Sequence, residues 1–148
     1  MPSLGGMAAI FEISDYGRSP LTARVYTLYG HPRLGWTIEE SRSFSLQRVE
    51  YLRLVARVDS ALTEYRTGAV ADPDVIAVCT DGPGLVTERV VQGSVATLGG
   101  TCGWTEEGKH PNERILMLVT DLVCRHLGHE AASALRPYDR QLRRRCPG

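Results

Sequence analysis

The chain has 148 residues, 43% of them hydrophobic and 23% charged, which is ordinary globular usage and excludes a disordered or fibrous chain. That length lets one core bury most of the surface, so a single domain over 1–148 is expected, with frayed ends at about 1–7 and 144–148. Seventeen basic residues balance seventeen acidic ones, so no global field draws in nucleic acid or anionic lipid, and little like-charge repulsion opposes self-association.

Ala8 to Ile13 and Ala23 to Tyr29 are apolar, β-branched and aromatic runs flanking the turn formers Ser14 to Pro20, the pattern of a hairpin. The segment Gly30 to Gly35 breaks the pattern. Thr37-Ile38-Glu39-Glu40 has the Thr-x-x-Glu spacing of a helix start, so a helix is expected there, interrupted at Ser41 to Ser45. From Leu46 to Arg66 the signal is helical: Tyr51, Leu54, Val55, Val58, Ala61, Leu62 and Tyr65 recur at steps of three and four, while Glu50, Arg53, Arg57, Ser60 and Glu64 fall opposite. Gly68 is the expected stop.

Val75 to Thr80 reads as a buried strand after the loop Asp72-Pro73-Asp74. Leu85 to Val91 and Ser94 to Leu98 are β-rich and joined by Gln92-Gly93, which suits a tight hairpin because glycine supplies positive φ. A glycine-dense stretch, Gly99 to Trp104, leads through Thr105 to Asn112 into a helix over Glu113 to Leu127 whose apolar residues wrap most of its circumference. Asp121 and Arg125 are spaced to pair on that helix. Gly128 closes it, and Ala131, Leu135, Tyr138 and Leu142 continue a helical stripe that Pro137 kinks. The fold expected is α+β: a small, mostly antiparallel sheet of four or five strands, two long helices packed on one face and a kinked C-terminal helix.

Sixteen of the basic residues are arginine and one is Lys109, which points to GC-rich coding and hence to a high-GC bacterium or a phage. No apolar run has the length to span a bilayer, and Met1 to Gly6 lack the basic start and apolar stretch of a signal peptide, so a cytoplasmic location and no membrane partner are expected. Cys79, Cys102, Cys124 and Cys146 are scattered, which in such a location reads as free thiols.

The loop from Gly99 to His110 offers the ligand or partner candidates Cys102, Trp104, Glu106, Glu107 and His110. Glycines ahead of a helix can present amides to an anion, but the spacing fits neither phosphate-binding fingerprint and the two glutamates repel phosphate. Cys102 beside His110 or His126 would make an activated thiolate only if the fold brings them together. Cys124 and His126 point about 200° apart on a helix, and no metal-binding spacing is present, so no metal and no cofactor are expected.

Arg140, Arg143, Arg144 and Arg145 form the one basic cluster, a candidate for phosphate contacts, although no nucleic-acid-binding signature accompanies it. Trp36, Trp104, Tyr16, Tyr26, Tyr29 and Tyr138 lie at loops and strand ends, the residue types that dominate the energetic centres of interfaces. The expectation is a non-enzymatic binding or regulatory protein acting through a protein partner and self-associating, with a dimer as the expected form. Alternatives are a small-molecule or nucleotide site, or a small enzyme, on the Gly99–His110 loop, and nucleic-acid contact through the C-terminal arginines.

Overall fold

The computed structural model describes residues 7–15, 20–31, 33–66, 84–102, 111–136 and 142–146. In chain order the elements are β1 (Met7–Ser14), β2 (Leu21–His31), β3 (Gly35–Leu46), α1 (Arg48–Arg66), β4 (Gly84–Val91), β5 (Ser94–Cys102), α2 (Pro111–Leu127), α3 (His129–Leu135) and α4 (Leu142–Arg145). The class is α+β with antiparallel strands. Instead of the one sheet expected, the described residues form two: a three-stranded sheet ordered β1-β2-β3 and a separate β4-β5 hairpin. The expected strand at Val75 to Thr80 and the stop at Gly68 lie outside the described residues. The chain divides into two compact units, Met1–Glu50 with Val119–Gly148, and Tyr51–Leu118, and each is considered by itself.

In the first unit the N-terminal hairpin is present as read, with Ile13 opposite Ala23 and Met7 opposite Tyr29. The helix expected from Thr37 is instead strand β3, paired with β2 from Leu21↔Leu46 to His31↔Gly35. The Thr-x-x-Glu spacing is real, but Trp36, Ile38, Phe44 and Leu46 among serines and threonine are better strand formers than helix formers, and the ladder to β2 pairs the backbone groups on one side of this edge strand. The Thr37 hydroxyl donates to the Tyr29 carbonyl at 3.3 Å rather than capping a helix. Gly35, at φ 75°, makes the turn into β3 possible.

Pairing runs Thr27↔Glu40 and then Leu28↔Ile38, so β3 carries an extra residue at Glu39. Opposed residues share a face, so on one side of this bulge Leu46, Phe44, Arg42 and Glu40 lie with Leu21, Ala23, Val25 and Thr27. On the other side Ile38 and Trp36 lie with Leu28 and Gly30, on the opposite face of the sheet. The inner face holds the buried Leu21, Ala23, Val25 and Leu46; α3 packs against β1.

The true start of α1 is Gln47, whose amide donates to the Glu50 carboxylate at 3.1 Å, one half of a capping box. At the far end of α2, Gly128 adopts φ 85° and its amide donates to the Cys124 carbonyl at 3.0 Å, the expected stop. The free thiols expected at Cys124 and Cys146 are instead a disulfide, with Cα atoms 5.6 Å apart across a sequence separation of 22. Arg144 and Arg145, expected in a frayed end, belong to α4, which buries Leu142 and precedes the buried Cys146. A four-residue helix has too few hydrogen bonds to persist alone, so its tether is covalent.

In the second unit α1 buries Leu54, Val58, Ala61 and Leu62, the stripe read from the sequence, while Arg53, Arg57 and Ser60 are exposed. Gln92 and Gly93 both have positive φ, 49° and 81°, the conformation a two-residue hairpin turn demands. Pro111 opens α2, where its missing amide costs nothing. The buried Asn112 beside it accepts from the Thr87 hydroxyl at 2.6 Å and donates to the Leu98 carbonyl at 2.9 Å, so one amide ties the helix start to both strands of the hairpin. Arg89–Asp59 at 2.8 Å and Arg114–Glu64 at 2.5 Å join α1 to β4 and to α2.

Two stability tests follow from these ties. Asn112→Ala leaves the Leu98 carbonyl without this donor and should cost about 2–3 kcal/mol, lowering Tm by roughly 5–10 °C; an unchanged melting curve would show the hairpin is held by other means. Reducing the disulfide, or Cys146→Ser, restores loop entropy to the unfolded chain and should cost on the order of 3 kcal/mol. Alkylation mass mapping should find Cys124 and Cys146 unreactive before reduction, and labelling of either without reductant would contradict the bond.

Candidate functional site

Two features of the first unit are built from several elements at once. The first is a polar cluster where the last turn of α2 meets the first turn of α1. Glu50, whose side chain is 12% exposed, places its two oxygens 3.2 Å from His126 Nε2, and an Arg125 nitrogen lies 3.6 Å away. The His126 ring stacks on Phe44 of β3, with centroids 4.5 Å apart and planes 12° from parallel, and Phe11 of β1 lies 6.5 Å beyond. The Arg125 guanidinium and the His126 imidazole sit at a helix C-terminus and the Glu50 carboxylate at a helix N-terminus, so the arginine and the acid each complement their own helix dipole before the two ends attract each other.

Burial opposes the Glu50 charge, but the Gln47 amide, the His126 imidazole and the Arg125 guanidinium outweigh it and hold the carboxyl below its ordinary value of 4.5. Arg125 reaches the Asp121 backbone carbonyl at 3.4 Å and pairs with Glu50, in place of the expected side-chain pair with Asp121.

A carboxylate–imidazole pair is also the core of many hydrolytic sites, where the far ring nitrogen activates a hydroxyl or thiol. Among the described residues no hydroxyl or thiol hydrogen-bonds His126, and the sulfur two residues away on α2 is committed to the disulfide. The cluster is a clamp between two helix ends.

The second feature is the outer face of the three-stranded sheet. Register places Ala8 and Ile10 of β1, Tyr26 and Leu28 of β2, and Ile38 and Trp36 of β3 together at one end of that face. Ile38 is 62% exposed, Trp36 58% and Ile10 49%, while Tyr26 donates its hydroxyl to Glu12 at 2.9 Å and so keeps its ring over the strands. The other end of the same face carries Ser14, Glu12, Thr22, Arg24, Ser41, Ser43 and Ser45. Isolated exposed apolar residues are ordinary, but a contiguous apolar area of several hundred Å² rimmed by polar side chains is the mark of a contact surface.

The residues singled out from the sequence fare unevenly. Cys102 ends β5 but its side chain, and Trp104, Glu106, Glu107, His110 and Arg140, lie outside the described residues. Arg143, Arg144 and Arg145 are exposed along α4. His126 turns to Glu50, not to Cys124, and among the described residues no three His, Cys, Asp or Glu side chains gather as metal ligands. Among the described residues no helix is long and apolar enough to cross a membrane. Of the interface aromatics, Trp36 and Tyr26 are on the outer face; Tyr16, Trp104 and Tyr138 lie outside the described residues. Ile38 and Phe44 are not singled out by the sequence reading, although the alternation from Trp36 to Leu46 carries their signal. No protein-family model, curated protein or solved structure matches the chain.

Linkage gives the clamp a measurable sign. A carboxyl held low in the folded state contributes stability that is present above its unfolded value, near 4.5, and is lost as pH falls through the folded value. Glu50→Gln should therefore lower Tm at neutral pH, by a loss of about 1–2 kcal/mol, and the gap to wild type should close below about pH 4.5. Parallel curves from pH 7 to pH 3 would remove the clamp.

Proposed function

We propose that the protein is a non-catalytic binding module that acts through a protein partner, and that the apolar end of the outer sheet face is where the partner docks. The observation that carries the reading is Trp36 and Ile38 together on β3 and Ile10 two strands away on the same face, each about half or more exposed. Tryptophan in particular supplies interface energy out of proportion to its number. The surface is a sheet face, which favours a macromolecular partner over a small molecule, since small ligands need concave sites. The polar cluster at Glu50 supports the same reading, because its groups satisfy one another.

The Cys124–Cys146 bond supports residence in an oxidising compartment more than in the cytoplasm, since thiols there are kept reduced.

The test compares wild-type and Ile38→Asp chains, immobilised with disulfides intact, for the proteins they retain from an extract of the source organism. Ile38 is exposed, so the variant should keep the wild-type Tm within about 1–2 °C while losing the retained protein, identified by mass. Retention that ignores Ile38, or turnover of any substrate by the purified chain, overturns the reading.

A further inference from the structure

Resting on that reading, we infer that the partner of the outer face is a second copy of this chain, packed face to face about a two-fold axis that crosses the strands at the apolar end. Three observations select this occupant.

The first is area. Trp36, Ile38, Ile10, Leu28, Ala8 and Tyr26 are clustered, and their exposed parts amount to on the order of 400 Å² of mostly apolar surface. One such patch against an identical one, with its rim, buries on the order of 1,000 Å² in total, the floor for a specific interface. A larger obligate partner would leave a larger apolar footprint; a weak, concentration-dependent dimer matches this one.

The second is shape and chemistry. An isologous contact needs a patch complementary to itself. β-branched, leucine and aromatic side chains standing on a twisted sheet interdigitate with the same set from a second sheet, as in any two-layer sandwich. The six side chains of the patch carry no charge; the nearest charges are Glu39, beside Ile38 at the bulge, and Glu12 and Arg24 further along the strands.

The third is charge, which chooses the orientation. Arg24 lies on the central strand of the same face, directly opposite Glu12. If both sheets were laid with their polar ends together, the neighbouring Arg24 and Glu12 side chains would lose their water against the second copy, a desolvation cost that the apolar ends do not carry. With the axis crossing the strands near Leu28, the polar ends point away from each other into water and only the apolar ends meet. The whole chain is electrically neutral, so nothing at longer range opposes the encounter.

The experiment is sedimentation velocity of the full, oxidised chain over about 1–300 µM, a span that brackets a micromolar Kd. Wild type should move from 16.3 kDa towards twice that mass. Ile38→Asp and Trp36→Gln should each hold the chain at the single mass and raise the half-association concentration at least about tenfold. Val90→Asp, at an equally exposed valine of β4, should dimerise like wild type, and melting curves confirm that every variant is folded. A dimer that survives both patch variants overturns the inference. A wild type that stays at 16.3 kDa throughout overturns it too: if that chain still retains another protein through Ile38, the binding reading stands without the dimer, and if it retains none, both fall.

Discussion

Between Thr27 and Leu28 of β2 the partner strand β3 passes over one residue, Glu39, and every β3 side chain on the far side of that point changes face. Had the alternation run unbroken, Trp36 and Ile38 would stand on the inner face with Phe44 and Leu46. At that end the inner face carries Ala9, Thr27, Thr37 and Tyr29, and Tyr29 is already 39% exposed. The bulge therefore divides β3 into two functions. Its C-terminal half keeps Phe44 inward, where the ring supports His126, and through His126 the carboxylate that caps α1. Its N-terminal half turns two large apolar side chains outward. Core anchoring and surface display thus depend on the placement of a single residue.

What was legible in the sequence followed from periodicity that one element satisfies alone. The stripe Leu54, Val58, Ala61, Leu62 identified α1, and Gly93 and Gly128 identified a hairpin and a helix end, because positive φ is a local demand met by few residues. β3 was misread because a local signal, Thr37 with Glu40, competed with a long-range one. The hydroxyl and carboxylate of a capping box act within one turn, whereas the value of Trp36 to Leu46 as a strand depends on β2 being available as its partner. Glu50 was placed on the solvent side of its helix by the same local logic. Its true partners, His126 and Arg125, are 76 and 75 positions away in sequence, and no periodicity encodes a contact between two helix ends.

The cysteines show a related limit. Spacing distinguishes a metal knuckle or a dense disulfide scaffold from scattered thiols, but it carries no distance in space. Cys124 and Cys146 became partners because Gly128 ends α2 and a second, shorter helix returns Leu142 and Cys146 to the core. The bond substitutes for packing that α4, four residues long, cannot supply. It also changes the meaning of the three arginines there: they decorate a covalently anchored end, so their exposure needs no nucleic acid to account for it.

The contrast within the outer face is the strongest argument that its apolar end serves recognition rather than folding. Both ends belong to the same three strands, face the same way and have the same backbone to satisfy. At one end that requirement is met with Ser41, Ser43, Ser45, Thr22 and Ser14, which keep good strand propensity or local hydrogen bonding while remaining soluble. Folding alone would be served equally well by the same composition at the other end. Ile10, Leu28, Ile38 and Trp36 stand there instead, at a cost in exposed apolar surface that each of them would recover only under a second layer. A sheet with one covered face and one half-apolar face is two-thirds of a sandwich, which is why the partner proposed for it is a second sheet.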